Sequence, residues 1–206
     1  MIDARVREEA VSLVRGAIAH ELGGPRPSIP AHPFFWEVHP AFVTLHRIEP
    51  RRGEPELHGC IGSFADRPFG ETVQRSARSA AFEDPRARPL SPADLDDLDL
   101  EISLLSEATP ISHTTEEEAR ASLRPGIDGV IFTCPHDGGR VSRGLFLPQV
   151  WQSLPRPREF LDQLKRKAGL PATFWSPHVM LERFTVEVIH DAAPRLRGRA
   201  NGGSRE

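Results

Sequence analysis

Asp137-Gly138-Gly139 separates two runs of strand-forming composition, Gly129 to Cys134 and Arg140 to Leu147, the second halted by Pro148. The five-residue connection, Pro135 to Gly139, is too short for a parallel crossover, which needs a dozen or more residues, so the two runs are expected to pair as an antiparallel hairpin. That hairpin restricts the whole chain. Other strand and helix signals are segregated instead of alternating as βαβ units, which predicts an α+β fold with a mainly antiparallel sheet and helices packed on it.

Helical spacing first appears over Asp3 to Leu22, with Val6, Ala10, Leu13, Val14, Ala17 and Ile18 on one face and Gly23-Gly24-Pro25 as the stop. Pro25, Pro27, Pro30 and Pro33 keep the next segment out of a sheet interior, and Phe34-Phe35-Trp36 are expected to anchor it by their rings. Ala41 to Ile48 and Glu56 to Ile61 read as a pair of strands around the loop Glu49 to Pro55. Gly70 to Glu83 reads as a helix whose small-residue face, Val73, Ala77, Ala80 and Ala81, lets its backbone come close to a sheet. Ser91-Pro92-Ala93-Asp94 carries helix-start chemistry and Asp99 to Leu105 strand chemistry. Thr114 with Glu117 is read as a capping box opening a short helix to Leu123. Glu159 to Ala168 is expected as a helix and Val179 to His190 as one half-buried strand. The Pro-rich stretches point to two interlocked lobes over residues 1–192.

Composition removes several function classes. The 206 residues are 38% apolar and carry a net charge of −3, which suits a globular protein and argues against a nucleic-acid footprint. Arg195, Arg197, Arg199 and Arg205 lie in a Gly-, Ala- and Asn-containing tail, 193–206, expected to be disordered. No apolar run approaches the ~18 residues of a membrane span, and because Met1 to Arg5 run directly into charged helical sequence no secretory leader is expected. A soluble, cytoplasmic protein is the expectation. Two cysteines, Cys60 and Cys134, are too few for a four-cysteine zinc site or an iron–sulfur cluster, and no cofactor is expected.

The chemistry gathers at Leu57-His58-Gly59-Cys60-Ile61-Gly62-Ser63-Phe64. Glycines weaken a strand interior unless a bulge or a close neighbour needs the space, so Gly59 and Gly62 are read as keeping a groove open beside Cys60. Two readings of the thiol stand side by side: a buried structural cysteine, or a nucleophile activated by a cation or helix N-terminus. His58, two residues away, shares the face of Cys60 in a regular strand and either assists a thiolate or sits solvated at an edge. Glu101 faces away from Leu100 and Ile102, toward solvent or into a cleft. Gln149 stands at a strand end, where side chains often line sites. Lys167 falls in the last turn of its helix, where the dipole alone favours a cation. Asp84 and Arg86 flank Pro85 and are able to pair with each other. Cys134-Pro135-His136 sets a thiol and an imidazole in one turn, without further ligands at zinc spacing.

Read together, Ala41-Phe42-Val43-Thr44-Leu45 and Leu57-His58-Gly59-Cys60-Ile61-Gly62 resemble the opening signature of the AMMECR-one domain family, called AmmeMemoRadiSam system protein A in bacteria and archaea. The likeness continues through Ser79 to Arg86, Leu100 to Leu105, Gly126 to Val130, Gly144 to Val150 and Lys167 to Leu170, covering about Val6 to Ile189. The resemblance implies a two-lobed α+β fold with a cleft near the Gly-Cys-Ile-Gly segment. It also implies association with a Memo-type protein, related to metal-dependent dioxygenases, and with a radical S-adenosylmethionine enzyme, in a shared modification pathway; an unknown small molecule is a further expected partner. The chain departs from the family pattern where His58 replaces the usual Arg and Ala87 the usual Phe. Two functional classes follow: a ligand-binding or accessory module in which Cys60 packs, and an enzyme or group carrier in which Cys60 attacks with His58, Glu101 or Lys167 assisting.

Overall fold

The computed structural model describes residues 2–48, 55–64 and 67–191. Positions 49–54 of the loop expected between the first two strands, and the 193–206 tail, lie outside the described residues. In chain order the first elements are α1 (Ala4–Glu21), β1 (Ala41–Ile48), β2 (Pro55–Ser63), α2 (Phe69–Phe82), β3 (Leu98–Leu105) and β4 (Thr109–Pro110). They are followed by α3 (Glu116–Ser122), β5 (Gly129–Pro135), β6 (Val141–Phe146), α4 (Pro157–Lys167), β7 (Met180–Phe184) and β8 (Val186–His190). Strands run β2-β1-β3-β8 in one four-stranded sheet and β4-β7-β5-β6 in another. The mix of helices and paired strands is α+β, as the hairpin and helix signals predict, but the strands form two sheets instead of one. Two compact units divide the chain.

One unit takes Ile2–Val38, Phe42–Ile102 and the chain from Ile189 onward. Asp3 caps α1 by accepting from the Val6 amide at 2.9 Å, and the helix buries the stripe its 3.6-residue period defines. After the Pro-rich loop, Pro33–Trp36 forms a single 3-10 turn. It anchors by Phe35, which is fully buried against Phe69 with ring centroids 5.6 Å apart. Burying a Phe contributes about 1.5–3 kcal/mol. Trp36 behaves differently from its neighbour: it stays exposed, its indole donating to the Pro30 carbonyl at 2.9 Å. α2 buries Val73, Ala77, Ala80 and Ala81, packing against α1 and β2. Ser91 and Asp94 do form a capping box, on a 3-10 helix, Pro92–Asp97.

The other unit takes His39–Ala41 and Ser103–Val188. β5 and β6 form the expected antiparallel hairpin, with Phe132 opposite Gly144, and both Gly138 and Gly139 adopt the positive φ that the turn requires. α4 lies over β6, and its Phe160 stacks flat on Trp151 at 3.7 Å. Lys165 is fully buried, its ammonium held by Glu116 at 2.7 Å and Asp162 at 3.1 Å, so its charge is compensated where it stands.

Two boundaries differ from the sequence reading. The capping box before α3 is Thr115 with Glu118, one residue later than Thr114 with Glu117. Thr115 Oγ1 accepts from the Glu118 amide, while the Glu118 carboxylate accepts from both Thr114 and Thr115. The 179–190 run is two strands in two sheets. At Thr185 the backbone leaves one ladder to exchange hydrogen bonds with Ser106: Ser106 N donates to Thr185 O at 2.9 Å and Thr185 N to Ser106 Oγ at 2.9 Å.

Candidate functional site

The Gly-Cys-Ile-Gly segment forms the second half of β2, and the turn that follows α2 delivers a buried carboxylate to it. Asp84 is 5% exposed and accepts from the Cys60 amide at 3.1 Å. Arg86 clamps the same carboxylate with two guanidinium nitrogens, at 2.9 and 2.5 Å, and with its backbone amide at 3.1 Å. Its Nη2 also donates to the Cys60 carbonyl at 3.3 Å. Asp84 and Arg86 pair as expected, and beyond that expectation they hold both backbone polar atoms of Cys60. The guanidinium, desolvation notwithstanding, keeps the Asp84 carboxyl well below the usual carboxylate range, and the Arg86 and Cys60 amides add to the effect.

Cys60 itself is half-buried. Its sulfur accepts from Thr44 Oγ1 of the adjacent strand at 3.1 Å, and among the described residues no imidazole or carboxylate lies within hydrogen-bond distance of it. His58 is not the solvated edge imidazole of the sequence reading. It is 3% exposed, and Nε2 lies 3.2 Å from the Ala81 carbonyl of α2. A nitrogen facing a carbonyl carries the hydrogen, and Nδ1 is buried without a hydrogen-bond partner among the described residues. His58 therefore stands under the helix, with no anion contact of the kind an Arg there would offer.

Gly59 also needs correction as a groove-keeping residue. A Cβ there would stand on the Ala80 carbonyl oxygen and 3.1 Å from its carbon, so the space beside Gly59 is occupied by the α2 backbone. The small face of α2 is what permits this approach. Gly62, further along the strand, does border open space: a hollow of about 230 Å³ lined by Gly62, Ser63, Arg67, Thr72, Arg75 and Ser76, with Ile61 and Ser79 completing it.

The remaining candidates make other contacts. Glu101 lies on β3, separated from β2 by β1, and its carboxylate is 3.8 Å from His190 of β8. Gln149 and Lys167 belong to the other unit. Gln149 donates to Ser103 Oγ at 3.4 Å and borders a larger, mainly apolar hollow of about 670 Å³ beside Ile127 and Trp151. The Lys167 ammonium sits 5.1 Å from the centre of the Phe146 ring. Cys134 is buried, which pushes its thiol pKa up, and His136 bonds Ser142 Oγ at 2.9 Å. Among the described residues no three His, Cys, Asp or Glu side chains come together in a metal-holding group, and no helix is long and apolar enough to cross a membrane.

Sequence reading overlooked Thr44, Arg67, Arg75 and the hydroxyls of α2. Thr72, Arg75, Ser76 and Ser79 fall at helical spacing i, i+3, i+4 and i+7, so a polar stripe beside the small-residue face was visible in principle. Nothing in the sequence tied it to Gly62.

Residues 11–189 match the AMMECR1 family model. A protein of Thermococcus gammatolerans is 37% identical, the alignment covering 93% of this chain and 95% of that protein. A protein of Thermofilum pendens is 33% identical over 90% of this chain and 89% of its own length. The crystal structure of the uncharacterized protein PH0010 from Pyrococcus horikoshii superposes with a TM-score of 0.78 at 32% identity, covering 91% of this chain and 92% of that one. At these identities and coverages the fold and the family are shared along nearly the whole length, and the chain belongs to the AMMECR1 family.

Proposed function

We propose that this AMMECR1-family chain is a ligand-binding or accessory module centred on the Gly59–Gly62 segment, with Cys60 in a packing role. One observation carries the reading: the Asp84–Arg86 pair holds the Cys60 amide and carbonyl, while the hydrogen bond to the sulfur among the described residues comes from the Thr44 hydroxyl. A nucleophilic thiol needs a base or cation directed at sulfur. Here the nearest imidazole in sequence is committed to Ala81, and the Arg86 guanidinium, close enough to the thiol to interact with it electrostatically, has its hydrogen bonds on Asp84 and the Cys60 carbonyl. The segment is thereby held rigid beside the hollow at Gly62, which suits binding better than attack. The setting we propose, a modification system with a Memo-type protein and a radical S-adenosylmethionine enzyme, is supported by the family motifs. Co-purification with both partners, followed by identification of what becomes modified, tests it; failure of either to associate or to depend on this chain counts against that setting.

The second reading, Cys60 as nucleophile or group carrier, is favoured by the partial exposure of the thiol and by the Thr44 hydroxyl, which donates to the sulfur. Cys60→Ala separates the two. A binding module keeps ligand affinity and pathway output within about twofold, whereas a nucleophile loses essentially all turnover.

A further inference from the structure

The hollow at the end of β2 has the chemistry of an oxyanion site. Its wall carries two guanidinium-bearing residues, Arg67 and Arg75, and the hydroxyl-bearing residues Ser63, Thr72, Ser76 and Ser79, and among the described lining residues none is acidic. In a chain of net charge −3 this is a local reversal of sign. Arg75 is exposed and, among the described residues, has no carboxylate within ion-pair distance, although Glu71 stands one turn before it on α2. Arg78, one turn beyond the middle of the helix, is by contrast tied to Glu21 at 3.2 Å and Glu83 at 3.6 Å. Two of the hydroxyls have their hydrogens engaged: Ser79 donates to Glu83 at 2.7 Å and Thr72 to the Arg67 carbonyl at 3.4 Å. Ser76 is buried on the same helix face with no such bond, which leaves it a donor for something in the hollow.

Size and charge narrow the ligand. At about 230 Å³ the space falls below the roughly 300 Å³ at which sites for drug-sized molecules begin, so it takes an anionic head with a few attached atoms. A carboxylate offers one charge and two oxygens, which the Arg75 fork alone would match, whereas the hollow adds the hydroxyls of Ser63 and Ser76. A phosphate monoester offers −1.5 to −2 charges, roughly, and three terminal oxygens. Resting on the binding-module reading above, we infer that the hollow bounded by Gly62, Arg67, Arg75 and Ser76 binds the phosphoryl group of a small phosphate monoester.

Isothermal titration of the full chain with glycerol 3-phosphate, inorganic phosphate and acetate tests this. Both phosphates are expected to bind at least about tenfold tighter than acetate, with affinity falling as salt rises. Arg75→Ala is expected to weaken glycerol 3-phosphate about tenfold or more without lowering the melting temperature, and Arg75→Lys to recover part of that loss. Equal affinity for acetate and phosphate, no phosphate binding up to about 10 mM, or unchanged affinity in Arg75→Ala overturns the assignment. A parallel thermal-shift screen with uncharged compounds keeps the two readings apart. Stabilisation by an uncharged compound that is lost in Arg75→Trp, with no response to phosphate, would overturn the phosphate assignment while leaving the binding module standing. Silence in both screens would overturn both.

Discussion

Each of the two units sets a helix on a strand glycine, and the two contacts are not equally tight. In one, Gly59 of β2 lies so close under α2 that a Cβ would meet the Ala80 carbonyl head on. In the other, Gly144 of β6 lies under α4, where a Cβ would stand 3.0 Å from the Leu164 carbonyl oxygen and 3.2 Å from the Ala168 Cβ. The polar groups differ as well. Beside Gly59 a buried carboxylate and an arginine secure the backbone of the next residue. Beneath α4 a buried lysine is neutralised by two carboxylates from α3 and α4 themselves. The difference teaches that the first marks a fixed backbone junction leading to the hollow at Gly62, and the second an ordinary helix-on-sheet contact.

The largest effect expected from this contrast is at Gly59. Gly59→Ala places a methyl group against backbone, which cannot rotate away, and should destabilise by about 3 kcal/mol, lowering the melting temperature by roughly 6–12 °C. A thermal melt within a degree of the parent would break the comparison.

Asp84→Asn comes next. It removes the charge that Arg86 clamps and leaves buried amide donors poorly matched, at a cost of about 1.5–3 kcal/mol near neutral pH in urea unfolding. The folded carboxyl titrates below its unfolded value of about 3.9, so its stabilisation is present above that pH and is lost as pH falls through the folded value. The variant lacks this dependence, and the gap between the two proteins should narrow below about pH 4. A gap that is constant from neutral pH to pH 3 would show the charge to be immaterial.

Gly144→Ala should cost at most about 1 kcal/mol, because the close contact is partly offset by the lower chain entropy of Ala in the unfolded state. If it destabilised as much as Gly59→Ala, the two junctions would have to be regarded as equivalent. The smallest structural effect is expected at the thiols. Under native conditions Cys60 should react with an aromatic disulfide reagent and Cys134, buried and with a raised pKa, only on unfolding. Rapid labelling of both would contradict the burial of Cys134.

Much of the fold was legible because local chemistry carries it. The Asp-Gly-Gly turn required two positive-φ residues and got an antiparallel hairpin. The apolar stripe of α1 and its Gly-Gly-Pro stop defined a helix within a residue of the expected ends. The site was legible only in part. Asp84 and Arg86 were correctly paired, yet what they hold, the backbone of a residue 24 positions away, depends on α2 folding back over β2. Thr44, Arg75 and Ser76 carried no local signal of function, since a hydroxyl on a strand and a polar helix face are ordinary surface features.

By itself, then, the sequence determined which segments become helices and strands, the hairpin and the family, because periodicity, turn chemistry and motif order act over a few residues or are written along the chain. Tertiary structure alone decided that residues 179–190 split between two sheets at Thr185, that His58 turns under α2 and not toward sulfur, and that Gly59 is filled while Gly62 opens on a hollow. Those outcomes rest on contacts between groups far apart in sequence. Whether a glycine meets a helix carbonyl or open space is settled by which element packs on it, and no local rule encodes that.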